Sequence, residues 1–232
     1  MSKYDDYKQQ VLEICQDMME GGFFGSRHGS AGNVSVLVDG EDVAVITPSG
    51  RNYRQLRAQD MCVVNMQGGR IEGDYEPSIE TPMHLACYQN RPDVSAVIHT
   101  HQPYASVFSL INQPIPALFD EVAVAIGHTI DVVPYGLSGS DDLLRGVVEK
   151  LENRCHCYIL QNHGALSVGP NLEKTRLFAE LMEKTAQVYY MALSTGREIT
   201  HLPEGLPMGL FQLTTMKQDM EIARKDSLKA AN

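Results

Sequence analysis

Basic side chains are scarce in this sequence: 19 of its 232 residues are Lys or Arg, against 29 Asp or Glu, for a formal net charge of -10. A broad phosphate-tracking surface needs the opposite balance, so nucleic acid is not the expected partner. A small phosphorylated molecule is still compatible, because a helix N-terminus and a few backbone amides can hold one phosphate without general basicity. Long apolar runs are missing as well. None approaches the roughly 20 residues that span a bilayer, and Met1-Ser2-Lys3-Tyr4-Asp5-Asp6 has no apolar signal-peptide segment. The expected setting is the cytoplasm, with no membrane partner.

Paired cysteine spacings are absent too. The 5 cysteines form an odd set, and Cys15, Cys62 and Cys87 sit among apolar neighbours, so reduced core thiols are expected. In Cys155-His156-Cys157, consecutive strand residues point to opposite faces, which keeps His156 from joining both thiols on one metal. The sequence lacks a desolvated lysine suited to Schiff-base chemistry, since Lys150, Lys174 and Lys184 lie in charged helical contexts. It also lacks internal repeats, low-complexity tracts and a linker.

What is present is a globular composition, 43% hydrophobic and 21% charged, in a chain long enough to bury a core without disulfides. Helical spacing predicts an amphipathic helix over Tyr4 to Met19. Two β-like runs, Asn33 to Val38 and Val43 to Ile46, flank the turn signal Asp39-Gly40, and a second strand pair covers Met61 to Asn65 and Arg70 to Glu72. Thr81-Pro82 reads as N-cap and first residue of a helix that runs to Gln89, placing His84 at its third position. Strands are expected over Val94 to His101, Asp131 to Val133 and Tyr158 to Gln161. Helices are expected over Tyr104 to Leu110, Ser140 to Leu151 and Asn171 to about Leu193. The tail from about residue 204 shows little pattern before a weakly amphipathic stretch at Thr214, and mobility is expected there. The expected fold class is α/β: one three-layer α-β-α domain over residues 1–232, with a mixed, largely antiparallel central sheet.

His99-Thr100-His101 is the sharpest chemical signal. Residues two apart on a strand share a face and can bring two imidazoles to one metal, although hydrogen-bonded histidines at a strand end give the same pattern. The apolar Ala96-Val97-Ile98 before them would anchor the pair rigidly. His163, within Gln161-Asn162-His163-Gly164, ends another short strand and offers a third imidazole that would leave Zn²⁺ an open position. Glu80 lies ahead of a helix start, where a carboxylate is favoured by the dipole whether or not it does chemistry. The glycine- and serine-rich stretch Gly25 to Asn33 suits close backbone approach to an anion, as it also suits a plain loop. The remaining histidines, His28, His84, His128, His156 and His201, lack mutual spacing; His84 is the one placed to support a site residue.

Pro77-Ser78-Ile79-Glu80-Thr81-Pro82-Met83-His84, Arg91-Pro92-Asp93, His99-Thr100-His101 and Gln161-Asn162-His163-Gly164 occur in an order and spacing that resemble the class II aldolases of the fuculose-phosphate aldolase type. Gly32-Asn33-Val34-Ser35 and Ile46-Thr47-Pro48-Ser49-Gly50 extend the likeness, which runs from the opening helix to about Leu193. The superfamily also holds ribulose-5-phosphate 4-epimerase and the adducin head domain.

The resemblance implies one divalent metal per chain on His99, His101 and His163, with Glu80 as catalytic acid/base that also touches the metal when substrate is absent. Zn²⁺ is the first choice; Mn²⁺, Co²⁺ and Fe²⁺ suit the same ligands. It implies a substrate phosphate held by Ser30, Asn33, Ser49, Gly50 and Ser78, and a homotetramer. The implied reaction is reversible cleavage of a ketose 1-phosphate, such as fuculose 1-phosphate or 5-deoxy- or 5-methylthio-ribulose 1-phosphate, to dihydroxyacetone phosphate and an aldehyde.

Three departures concern the substrate side. Ile79 stands where the aldolase pattern has a second serine, Asp120 stands where a tyrosine is usual near the aldehyde, and no tyrosine follows Tyr190. Asp120 and Glu121 are the acidic residues that could face the aldehyde, and either equally suits an exposed helix start. A pentose-phosphate 4-epimerase is the nearest enzymatic alternative, although that branch carries Asp in place of Glu80; a methylthioribulose-phosphate dehydratase is another. A non-catalytic adducin-like module is the alternative of a different class, which the intact Glu80 and histidine set argues against.

Overall fold

A computed structural model describes residues 2–25 and 31–231. Ser30 and His28 lie outside the described residues. The helices are α1 (Asp5–Glu20), α2 (Thr81–Asn90), α3 (Pro103–Ile111), α4 (Asp120–Ala125), α5 (Asp141–Leu151), α6 (Leu172–Ser194) and α7 (Leu206–Ala231). The strands are β1 (Asn33–Leu37), β2 (Val43–Ile46), β3 (Cys62–Asn65), β4 (Arg70–Glu72), β5 (Ala96–Thr100), β6 (Ile115–Pro116), β7 (Thr129–Val133), β8 (Cys157–Leu160) and β9 (Gly164–Gly169). They form one 9-stranded sheet in the order β4-β3-β2-β1-β5-β9-β8-β7-β6. Among these strands only β7 and β8 pair in parallel, so the expected mixed, largely antiparallel sheet is what the chain builds.

Strand alternation divides the core into layers. Val34 and Val36 face α1, where Val11, Leu12, Cys15 and Met18 cover them. Val97, Leu166 and Val168 face the opposite side and meet Met83, Cys87 and Tyr88 of α2 and Leu143, Val147 and Leu151 of α5. A third cluster joins α3, α4 and α6 to Ile130, Ile159 and Ala165. Each such aliphatic side chain taken fully out of water contributes about 1.5–3 kcal/mol before entropy is counted. All five cysteines are free and buried.

Arg91-Pro92-Asp93 has a structural explanation. The Arg91 guanidinium grips Asp93 through Nε to Oδ1 and Nη2 to Oδ2, both at 2.8 Å, and Nη1 donates to the Cys155 carbonyl at 3.0 Å. The buried fork fixes the turn from α2 into β5 and ties it to the approach to β8.

Two sequence expectations need correction. Thr81 is the first residue of α2 and Pro82 the second, with Glu80 in the N-cap position, so His84 is the fourth helical residue. Proline is tolerated at either place, because the missing N–H has no intrahelical partner in the first turn. β9, a central strand, and β6, at the sheet edge, lie in stretches for which no element was assigned, and α4 begins at Asp120, the helix start that was one of the two readings of Asp120 and Glu121. The chain after Pro203, expected to show little pattern before the amphipathic stretch at Thr214, is helical from Leu206 as α7; Phe211, Thr214 and Gln218 are buried on it, and the Thr214 hydroxyl donates to the Val124 carbonyl of α4.

Candidate active site

The site lies where β1, β5 and β9 meet the start of α2. His99 is opposite Asn33 in the β1–β5 register and opposite Leu166 in the β5–β9 register. His101 follows one residue beyond β5. β8 and β9 form a tight hairpin that pairs Leu160 with Gly164, and its turn, residues 161–163, carries His163 back over β5. Asn162 occupies the left-handed region there at φ 54°, a conformation Asn tolerates better than most residues. Gly164 has to lack a side chain: a Cβ would run into the Thr100 carbonyl and lie 3.1 and 3.2 Å from the rings of His101 and His99. That close backbone approach lets the three imidazoles converge.

One ligating nitrogen from each of His99, His101 and His163 falls within 4.8 Å of the others. The His99 Nδ1–H donates to the Ala165 carbonyl at 2.9 Å, which leaves the Nε2 lone pair facing the cluster. His101 Nε2 lies 2.8 Å from His99 Nε2. Burial and the neighbouring rings pull His101 down to about 3, and burial followed by His99 pulls His163 down to about 4, so both stand ready as neutral donors. This donor set fits a divalent metal.

Glu80 is 4% exposed and sits against the same cluster. Its Oε2 accepts from Asn33 Nδ2 at 2.7 Å and lies 3.3 Å from His99 Nε2; its Oε1 accepts from the Ser138 hydroxyl at 2.8 Å and lies 3.3 Å from His163 Nε2. Burial alone would raise its pKa. Attraction to His99, the Asn33 hydrogen bond, His163 and Ser138 outweigh it and bring Glu80 down to about 2. The carboxylate is therefore held ionised, with both oxygens turned toward the cluster, placed to accept a proton from a group within hydrogen-bond reach.

A cleft of about 270 Å³ opens over these groups, lined among others by Asn33, Ser49, Gly50, Ser78, Ile79 and Ser138 together with Glu80, His101 and His163. All described residues expected near the phosphate therefore border the same space as the histidines and Glu80. Asp120 and Glu121 are not among its lining. They begin α4, exposed, and Glu121 pairs with Lys184 of α6 at 2.9 Å. Ser138 is the residue that sequence reasoning missed. It sits in Gly136-Leu137-Ser138-Gly139, a pattern that reads as an ordinary connection into α5, which Ser140 caps.

The chain belongs to the family described as Class II Aldolase and Adducin N-terminal domain, whose model matches residues 9–190. Within it the chain is similar to aldolases, lyases that break a carbon–carbon bond. It is 36% identical over 186 residues to the L-fuculose phosphate aldolase of Shigella flexneri, covering 80% of this chain and 83% of that one. It is 34% identical over 197 residues to the 5-deoxy-D-ribulose 1-phosphate aldolase of Bacillus thuringiensis serovar kurstaki, covering 85% and 90%. A solved L-fuculose 1-phosphate aldolase superposes with a TM-score of 0.84 at 30% identity, over 93% of this chain and 98% of that one. An enzyme of the class II aldolase type follows, with the divalent metal that this family implies.

Proposed function

We propose that the chain, as one catalytic domain, reversibly cleaves a ketose 1-phosphate into dihydroxyacetone phosphate and an aldehyde. The observation that supports this most is the position of Glu80: each carboxylate oxygen lies 3.3 Å from a different histidine of the cluster, at the floor of a cleft edged by neutral phosphate donors. A divalent cation held by His99, His101 and His163, zinc in the first instance and Mn²⁺, Co²⁺ or Fe²⁺ by availability, would supply Lewis-acid stabilisation of the charge that develops beside the breaking bond.

The protein's own groups supply the rest. In cleavage, the hydroxyl on the departing carbon loses its proton and becomes the aldehyde carbonyl as the carbon–carbon bond breaks, the bond's electron pair stays on the dihydroxyacetone phosphate fragment as an enediolate, and Glu80, having taken up one proton in that exchange, passes it to the enediolate carbon. In synthesis, the ionised Glu80 removes the same proton. Asn33, Ser49, Gly50 and Ser78 orient the phosphate with hydroxyl, amide and backbone donors, which suits a site in an acidic protein. Ser138 and Asn33 hold the two oxygens of Glu80 toward the cleft. Ile79, 64% exposed at the rim, favours an aldehyde with fewer hydroxyls, of the 5-deoxy- or 5-methylthio-ribulose 1-phosphate kind. Exposed Ile79, which lines the cleft, and exposed Leu137, next to Ser138, support assembly of copies around it, as in a homotetramer, and gel filtration reads that directly. Among the described residues no helix is long and apolar enough to cross a membrane, in keeping with a cytoplasmic enzyme of small-molecule metabolism.

The test is aldol cleavage by the zinc-loaded protein over a panel of ketose 1-phosphates, following dihydroxyacetone phosphate release. Release from at least one member is expected. Release from none, with the metal bound, would refute the reading.

A further inference from the structure

Behind Glu80 runs a chain of buried polar groups of which only Asn33 has a part in the proposed phosphate site. Asn33 and Ser35 alternate on the face of β1 that looks at α2, and His84 and Tyr88, one helical turn apart, look back at them. Asn33 Oδ1 meets His84 Nε2, His84 Nδ1 lies 2.7 Å from the Ser35 hydroxyl, and that hydroxyl lies 2.5 Å from the Tyr88 hydroxyl. His84 is 0% exposed, Ser35 0%, Asn33 5% and Tyr88 6%. A buried network of this kind costs stability unless every member is satisfied.

The orientation of the Asn33 amide fixes the direction of every bond. Asn33 Nδ2 donates to Glu80 Oε2 at 2.7 Å, so the group that faces His84 is the amide carbonyl oxygen, which only accepts. His84 then has to carry its proton on Nε2 and accept at Nδ1 from Ser35, whose oxygen accepts from Tyr88. Burial pulls the His84 pKa down to about 3, so the ring is neutral, as this directional chain requires.

We infer that His84 is a positioning residue for the reaction: through its Nε2–H it locks the Asn33 amide so that one N–H holds Glu80 and the second is left for the substrate. Without that donor the amide is free to rotate, which would turn its oxygen toward the carboxylate and repel it. Ser35 and Tyr88 fix the tautomer from behind. The sequence separation of Asn33 and His84 hides this link, which only the packing of α2 on β1 creates.

The inference rests on the proposed aldolase reading, so its first test needs no turnover. Nitrogen-15 NMR of the zinc-loaded full-length protein, with the His84 signals assigned by their loss in His84→Gln, is expected to show a neutral Nε2–H tautomer from pH 6 to 8. An Nδ1–H tautomer overturns the inference. The second test is exchange of the dihydroxyacetone phosphate proton with deuterated solvent. His84→Leu removes the donor and is expected to slow exchange at least about tenfold at unchanged metal content, whereas His84→Gln, whose amide N–H can reach Asn33, recovers to within about threefold of wild type. Equal loss in both variants, or no loss in His84→Leu, overturns the positioning role. Absence of exchange in the wild type itself counts against the aldolase reading, and the tautomer then decides the hydrogen-bond chain alone.

Discussion

His156 and His163 stand at the two ends of β8, and their surroundings differ in the way that separates a structural histidine from a chemical one. Both nitrogens of His156 are engaged: Nδ1 donates to the Val168 carbonyl at 2.8 Å, and Nε2 receives the Gln218 amide at 3.1 Å. Its ring stacks on Phe178 with centroids 4.6 Å apart. His163 instead leaves Nδ1 buried without a partner and points Nε2 at Glu80 and two other imidazoles. Burial favours the neutral ring in both places. What differs is what the lone pair faces, a side-chain donor that satisfies it in one case and a cluster of further acceptors in the other. Unsatisfied, converging acceptors are costly in a folded protein unless a cation or a proton joins them.

The comparison is sharpened first by removing one histidine from each region. His101→Ala is expected to take bound metal from about one ion per chain to nearly none while leaving the fold intact, since the residue is at a strand end. His156→Ala is expected to keep the metal and lose about 2–3 kcal/mol of stability, through two lost hydrogen bonds and a cavity. Metal analysis together with urea unfolding of both proteins checks the pair. Metal loss in His156→Ala, or full occupancy in His101→Ala, would break the contrast.

A smaller effect is expected from pH. Burial, with Arg91 next, pulls the His156 pKa down to about 4, against an ordinary value near 6.5. Between these values the unfolded chain binds a proton that the folded one refuses, so stability is full above about pH 6.5 and falls with pH down to about 4. The slope is about 1.4 kcal/mol per pH unit for one such group. Urea unfolding at pH 7 and pH 5 is expected to show a smaller acid loss in His156→Gln than in wild type. An identical loss in the two proteins would show that His156 titrates freely.

Ser78→Ala concerns the cleft rim, where the proposed phosphate site carries no formal charge. It is expected to raise KM for the phosphorylated ketose about tenfold, equivalent to about 1.4 kcal/mol, with metal content normal. Steady-state kinetics with the unphosphorylated ketose provides the control. If both substrates lose activity equally, Ser78 supports the structure and does not contact phosphate.

Much of this contrast is legible in the amino-acid sequence, for specific reasons. The β1–β2 hairpin shows there because Asp39-Gly40 is a local turn signal and the flanking runs are β-branched. The His99–His101 pair shows because strand periodicity is itself local. β9 is hidden because Gly164-Ala165-Leu166-Ser167-Val168-Gly169 is buried on both faces and so lacks alternation. α7 is hidden because Met208, Leu213, Met216 and Met220 remain exposed, which blurs a helical stripe. At the site, Glu80 and the histidines stand out through residue type and spacing. The Ser138 contact and the chain through His84 depend on how a loop and a helix pack against β1, and no local pattern encodes either. Asn33 enters as an expected phosphate contact through the family resemblance, whereas its hydrogen bond to Glu80 is a product of the fold.

The central claim is that Glu80, ionised beside the histidine cluster, moves the proton at the carbon next to the broken bond. Solvent-deuterium exchange of dihydroxyacetone phosphate by zinc-loaded wild type and Glu80→Gln measures that step without the aldehyde. Wild type is expected to exchange the proton, and Glu80→Gln, which keeps the shape and removes the base, is expected to be slower by a factor of about 10² or more. Exchange by Glu80→Gln at the wild-type rate, at equal metal content, would contradict the claim and assign the proton to another group.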